Sequence, residues 1–194
     1  MCFEVCHSVN EWMRGFEGCW CIAGGWAIDL YLDKQTRAHD DIEIMIFRED
    51  QQILKHHLND WEICKVEEGE LSTWGHEHLK LPIHELHATH KATGQKLEIL
   101  LNEKDEENWI FRRDSRVTKP LNEIINFSIN SLPYLKPEIV LLYKAKSIGS
   151  KDVHDFNEAV SVMDDDQKKW LKEALKIHLP QLLDGAACPG NCCL

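Results

Sequence analysis

The stretch over residues 41–47 constrains the fold of this chain most, because its polar and apolar residues alternate. A period of two predicts a β-strand with its isoleucines on one face and Asp41 and Glu43 on the other. The two acids would lie ~6.6 Å apart along such a strand. Burying two unpaired carboxylates costs several kcal/mol. The strand therefore either holds a hard cation such as Mg²⁺ between its acids or presents an acidic face to solvent at a sheet edge.

A second candidate acid lies in a predicted β-hairpin. Residues 84–90 and 96–101 have strand-like patterns and are joined around Gly94. Glu98 is a lone acid between apolar neighbours in the second of these strands. If that strand lies beside residues 41–47, Glu98 completes a cluster of three carboxylates. The alternative is an ion pair with Lys96 or another nearby lysine.

Other candidate residues surround these strands and have ordinary explanations as well. Gly24 and Gly25 stand where an apolar strand becomes a helix, which suits a phosphate-binding turn or simply a tight turn. Arg37 precedes the acidic strand and suits phosphate or the surface. Lys144 interrupts an apolar helix, so it needs an anion or a path to solvent.

The order of predicted elements indicates a mixed α/β chain (α+β class) with a helical last third. We predict an α/β domain over residues 1–131, a helical region over 132–184 and a cysteine-containing tail over 185–194. Ser8 is predicted to cap a first helix over residues 8–16, with Glu11 completing a capping box. Pro137 is predicted at the first position of a later helix.

The bulk composition bears on partners and location. The 194-residue chain carries a formal net charge of −11, which disfavours a nucleic-acid partner. It contains no apolar run long enough for a membrane helix and no recognisable signal peptide, so we predict a cytoplasmic protein without a membrane partner. Cys19, Cys21 and Cys64 fit small buried thiols in a reducing compartment, with Cys19 and Cys21 predicted on one strand face.

The sequence resembles a known family in the order of its motifs. Residues 24–29 read G-G-W-A-I-D, and residues 36–43 read T-R-A-H-D-D-I-E. Together they resemble the aminoglycoside and lincosamide nucleotidyltransferases of the DNA polymerase β-like superfamily, as do residues 97–103 and 135–146. The resemblance extends over about residues 18–175. It implies a polymerase β-like domain with a mixed β-sheet flanked by helices and a small C-terminal helical region.

The resemblance also implies roles for individual residues. Asp41 and Glu43 would hold the Mg²⁺ that accompanies a nucleoside triphosphate, and Glu98 would bind a second ion or take the proton of the acceptor hydroxyl. Gly24 and Gly25 would cradle phosphate, while Lys144 and Arg37 would neutralise its charge. The resemblance thus implies two Mg²⁺ ions and ATP or another nucleoside triphosphate as substrate.

The expected reaction is transfer of a nucleoside monophosphate, AMP in the case of ATP, to a hydroxyl of a small molecule such as an aminoglycoside or lincosamide antibiotic. Two alternatives remain open from the sequence: a protein acceptor, as in toxin–antitoxin relatives, and a nucleotide-binding protein without catalysis. His84, His87 and His90 alternate in the hairpin, where they would line the acceptor pocket, bind a metal or lie on an ordinary surface.

Overall fold

The structure is a computed structural model that describes residues 3–146 and 149–180, in which helices pack against a mixed β-sheet. The helices are α1 (Glu4–Trp12), α2 (Gly24–Leu32), α3 (Gln51–His57), α4 (Pro137–Lys144), α5 (Ser150–Val162) and α6 (Asp165–His178). The strands are β1 (Trp20–Ile22), β2 (Glu43–Phe47), β3 (Trp61–Glu67), β4 (Glu70–Thr73), β5 (Glu85–His90), β6 (Lys96–Lys104), β7 (Asn108–Ile110), β8 (Thr118–Pro120), β9 (Ile125–Phe127) and β10 (Pro133–Leu135).

The strands of the described residues follow the order β4-β3-β5-β6-β2-β1-β10-β9 in the sheet. In addition, β7 pairs with both β6 and β8. The predicted hairpin is confirmed, since β5 and β6 pair antiparallel. β2 and β6 pair in parallel at the centre of the sheet. A parallel pair needs a crossover connection, and α3 with the β3–β5 strands supplies it. β2 is therefore a central strand and not the acidic edge strand that was the alternative.

The central strands are held by apolar burial on both faces. Ile44, Met45 and Ile46 of β2 are fully buried, as are Ile99 and Leu101 of β6. A strand buried on both faces is close to continuously apolar, which leaves its polar residues at the ends. This explains why Glu43 lies at the first position of β2.

Helices α2, α4 and α5 pack on one another beside the sheet, and α2 also contacts β10 and β2. Pro137 begins α4 as predicted. The last third is not purely helical, because β10 lies C-terminal to the predicted boundary and pairs in parallel with β1. The division into residues 1–131 and 132–184 stays a prediction, and the tail over 185–194 lies outside the described residues.

Two local predictions were wrong. The first helix begins at Glu4 instead of Ser8, and Ser8 Oγ donates to the Glu4 carbonyl from within the helix. The Ser8–Glu11 pattern fits a capping box only when the preceding turn is not helical, and here it is helical. Cys19 and Cys21 do not share a face, since Cys19 precedes β1 and is exposed while Cys21 is buried.

Candidate active site

Three acids meet at the start of the central parallel strands. Glu43 of β2 is the register partner of Glu98 of β6, and the Glu98 backbone N–H donates to the Ile42 carbonyl at 3.0 Å. Asp41 precedes β2, contrary to the prediction that it belongs to the strand. Its carbonyl accepts a hydrogen bond from Trp26 Nε1 at 3.1 Å, which fixes the backbone there. We call Asp41, Glu43 and Glu98 the acidic cluster.

The electrostatics of the acidic cluster show that the protein compensates its charges only in part. Burial, Asp41 and Glu98 together raise the pKa of Glu43 to about 7. Burial and the charge of Asp41 also raise the pKa of Glu98. Within residues 3–146 and 149–180, no lysine or arginine forms an ion pair with these three carboxylates. The predicted alternative, a pair between Glu98 and Lys96, does not form. This arrangement favours a bound cation.

Gly24 and Gly25 have steric reasons to be glycine. Gly24 begins α2 with φ +59°, and a Cβ at this position would overlap the Glu43 carboxylate. A Cβ on Gly25 would lie 2.5 Å from Arg37 Nη2 and 2.6 Å from His39 Nδ1. The glycine pair therefore lets the start of α2 approach the acidic cluster and the Arg37 side chain closely.

Arg37 and Lys144 lie together but are already paired with acids of α5. Arg37 Nε donates to Asp155 Oδ1 at 2.7 Å and its Nη2 to Asp155 Oδ2 at 2.8 Å. Lys144 Nζ lies 2.8 Å from Asp152 Oδ1 and 3.1 Å from Asp155 Oδ2. The anion that Lys144 was predicted to need is thus supplied within the chain. We call Arg37, Lys144, Asp152 and Asp155 the ionic cluster.

The pKa values of the ionic cluster reflect this pairing. Burial favours a higher pKa for Asp155, but the hydrogen bonds from Arg37 and Lys144 outweigh it and leave the pKa lowered. The hydrogen bond to Asp155 raises the pKa of Arg37. Asp155 therefore stays ionised and neutralises part of both cations.

A buried carboxylate that the sequence analysis did not assign holds the loop before β2. Asp29 Oδ1 accepts from the Thr36 backbone at 3.0 Å and from Thr36 Oγ1 at 2.7 Å. His39 Nε2 lies 2.5 Å from Asp29 Oδ2, and the His39 ring stacks on Trp26. In the sequence, this network could have been found from Asp29 in the G-G-W-A-I-D motif and from Thr36 and His39 in the T-R-A-H-D-D-I-E motif. They brace the loop that carries Arg37 and Asp41.

The histidines of the hairpin separate into different environments. His84 precedes β5 and its Nδ1 lies 2.7 Å from the Pro82 carbonyl. His90 packs against Trp61 and bonds within the β5–β6 turn. Only His87 of these three contacts the acidic cluster, with Nε2 3.8 Å from Glu98 Oε1. The three histidines therefore do not share one face of the strand, because His87 and His90 are three residues apart on β5 and point to opposite sides of the sheet.

A cleft of about 420 Å³ connects the acidic cluster to the ionic cluster. Gly25, Asp41 and Glu43 line it at one side, and Lys144 and Asp152 at the other. Residues at the start of α5, including Ser150, also face it. Helix N-termini attract anions, so the cleft combines a cation-attracting region with an anion-attracting one.

A family model described as aminoglycoside-2''-adenylyltransferase matches residues 5–158. The chain belongs to this family. The match spans both acidic strands and the ionic cluster, and it identifies the chain as an enzyme of the nucleotidyltransferase class. The resemblance seen in the sequence motifs is thereby confirmed. No curated protein matches the chain at a significant level of similarity.

Solved structures of similar fold include antibiotic-resistance proteins. The solution structure of the antibiotic-resistance factor ANT(2'')-Ia is 15% identical, covers 91% of each chain and has a TM-score of 0.60. The lincomycin-bound lincosamide antibiotic adenylyltransferase LnuA is 17% identical, covers 81% of this chain and 95% of its own, and has a TM-score of 0.57. A crystal structure of ANT(2'')-Ia with adenylyl-2''-tobramycin is 14% identical with a TM-score of 0.58, covering 88% and 94% of the two chains.

These likenesses confirm the predicted fold, a polymerase β-like nucleotidyltransferase domain. The family match favours adenylyl transfer and does not favour a protein acceptor or a non-catalytic role. Among the residues that the structure describes, no helix is long and apolar enough to span a membrane. The cytoplasmic location stays a prediction.

Proposed function

We propose that this chain transfers AMP from ATP to a hydroxyl group of an aminoglycoside or lincosamide antibiotic, and that the acidic cluster holds the Mg²⁺ that the reaction uses. The observation that supports this most is the convergence of Asp41, Glu43 and Glu98 from paired strands without a cationic side chain between them. Oxygen-only donors are what Mg²⁺ prefers, so the residues present fit this ion.

The acidic cluster supplies ligands and a proton acceptor. Asp41 and Glu43 would carry the ion next to the triphosphate, and Glu98 would be a further ligand or take the proton of the acceptor hydroxyl at a carboxylate oxygen. When bound, Mg²⁺ would neutralise negative charge on the triphosphate and on the group being transferred. Gly24 lets the Glu43 carboxylate lie against the start of α2, because a Cβ at this position would overlap the carboxylate.

The ionic cluster orients the phosphates. Lys144 is 20% exposed at its side chain and faces the cleft, so it can contact a phosphate oxygen while Asp152 and Asp155 hold its position. Arg37 and the start of α5 lie on the same side of the cleft and add further positive charge. Positioning and charge neutralisation account for most catalysis of phosphoryl-type transfers.

The acceptor is proposed from charge and from the comparisons. A chain with net charge −11 attracts cationic ligands, and aminoglycosides carry several amines. The solved structures of similar fold contain lincomycin in one case and adenylyl-tobramycin in another. Both classes of antibiotic therefore belong in the first screen.

The proposal is tested by pyrophosphate release from ATP and Mg²⁺ with a panel of aminoglycosides and lincosamides. Asp41→Asn should lower turnover by more than about a hundredfold, because it removes a negatively charged ligand of the Mg²⁺ that would neutralise the reacting phosphate. Asp60→Asn, which changes an exposed acid before β3, is the matched control and should keep wild-type turnover. Equal turnover in wild type and Asp41→Asn would refute the assignment.

A further inference from the structure

A second group of metal-ligating side chains lies next to the acidic cluster, on β5 and β6. Glu85, His87 and Glu98 each offer a ligand atom, and these atoms all lie within 4.8 Å of one another. His87 Nε2 is 2.8 Å from Glu85 Oε1 and 3.8 Å from Glu98 Oε1. The three side chains are 25–33% exposed, so an ion can reach them from solvent.

The backbone brings these three residues together independently of their rotamers. Residues two apart in a strand share a face, so Glu85 and His87 point the same way from β5. His87 is the antiparallel register partner of Glu98 on β6. Directly opposed residues have closely spaced Cβ atoms. The triad is thus a fixed feature of the sheet.

The spacing fits a small divalent ion. The ligand atoms of a tetrahedral ion with bonds of ~2.1 Å lie ~3.4 Å apart. Small side-chain rotations that lengthen the 2.8 Å contact between His87 and Glu85 and shorten the wider separations would reach this spacing. One imidazole nitrogen with two carboxylate oxygens suits borderline transition metals such as Zn²⁺, whereas Mg²⁺ favours oxygen ligands alone. His87 is what separates this donor set chemically from Asp41 and Glu43.

We propose that Glu85, His87 and Glu98 form a separate binding site for a divalent transition metal, with Zn²⁺ as the representative ion, and that this site shares Glu98 with the acidic cluster. Binding of this ion needs no nucleotide. Its effect on AMP transfer, through competition for Glu98, rests on the proposed function. The simpler explanation, in which His87 only hydrogen-bonds Glu85, makes the opposite prediction in the experiment below.

The test is a titration of the full chain, labelled with ¹⁵N-histidine, with Zn²⁺ in excess Mg²⁺ and without nucleotide. Direct ligation shifts the ring nitrogen that binds the ion, while zinc bound to thiols elsewhere leaves histidine nitrogens unshifted. We expect the His87 signal to shift at a lower Zn²⁺ concentration than that of the exposed His56. His87→Gln should remove the shifting signal, and His90→Gln, the matched change outside the triad, should retain it.

A second variant removes the proposed ligand Glu85 but retains His87, so the NMR signal of the His87 ring can still be followed. Glu85→Gln should raise the Zn²⁺ concentration at the midpoint of the His87 shift by at least about tenfold, and Glu62→Gln on exposed β3 should not. A His87 shift no earlier than that of His56, or an unchanged midpoint in Glu85→Gln, would overturn the proposal. AMP transfer without zinc binding contradicts this inference alone, whereas zinc binding without AMP transfer contradicts the proposed function alone.

Discussion

The cleft is bordered by acids of two kinds, which differ in what neutralises them. In the ionic cluster and around Asp29, each buried carboxylate receives hydrogen bonds from cations, hydroxyls or backbone groups. In the acidic cluster, three carboxylates face one another, and burial together with the charges of Asp41 and Glu98 raises the pKa of Glu43 to about 7. Satisfied acids stabilise the fold, whereas uncompensated ones destabilise it unless a ligand binds. The comparison therefore separates residues that support the site from those expected to act in it.

The comparison also explains which features were predictable from sequence. The strands β2, β5 and β6 could be predicted from the alternation that follows Asp41 and from the hairpin pattern around Gly94. The alternation of polar and apolar side chains along a strand is visible in the local sequence alone. The direct register of Glu43 with Glu98 was open, since β2 and β6 are joined by a long crossover whose path the local pattern does not determine. Family resemblance, not spacing, suggested that these acids meet.

Long-range partners were less accessible to sequence reasoning. Asp155 lies 118 residues from Arg37, and no local pattern links the two. Lys144 was predicted to require an anion, and the structure supplies acids of α5 that the sequence analysis had not considered. The start of α1 was misplaced because a capping-box pattern at Ser8 also occurs inside a helix that starts one turn earlier.

The strongest way to break the ionic cluster is Asp155→Asn. The side chain of Asp155 is 1% exposed and serves two cations, so its loss leaves both with an unmet charge. We expect destabilisation of about 3 kcal/mol or more, which corresponds to a fall in Tm of roughly 6–12 °C for a chain of this size. Differential scanning calorimetry measures this. Asp152→Asn, at a more exposed site, is the control and should cost less.

A smaller loss of stability is expected when a neutral hydrogen-bond donor to the buried Asp29 carboxylate is removed. Thr36→Val keeps the shape of the side chain but removes the hydroxyl that donates to Asp29 Oδ1 at 2.7 Å. The expected loss is about 1–2 kcal/mol in the free energy of unfolding, because Asp29 keeps its other partners. Urea denaturation compares it with Thr73→Val, an exposed position on β4. Equal midpoints for the two variants would contradict the bracing role of Asp29.

The pH dependence of stability separates the two clusters, because their contributions should have opposite signs. The lowered pKa of Asp155 makes its contribution present above the unfolded-state pKa and lost as pH falls through the acid range. The pKa of Glu43 is raised, so the metal-free folded state binds more protons than the unfolded state between about pH 4.5 and 7, and stability falls as pH rises through this window.

Urea midpoints in a chelator across this range check the prediction for Glu43. Glu43→Gln should remove its part of the decline, while Glu62→Gln should retain it. A decline of the same size in wild type and Glu43→Gln would show that Glu43 is not the group responsible.

The most direct test of the central claim is Mg²⁺ binding in the presence of a non-hydrolysable ATP analogue, measured by calorimetry on wild type, Glu43→Gln and the exposed-strand control Glu62→Gln. Coordination by the acidic cluster predicts that wild type and Glu62→Gln bind Mg²⁺ alike and that Glu43→Gln binds it at least about tenfold more weakly. Wild-type affinity in Glu43→Gln would contradict the claim that these carboxylates hold the ion.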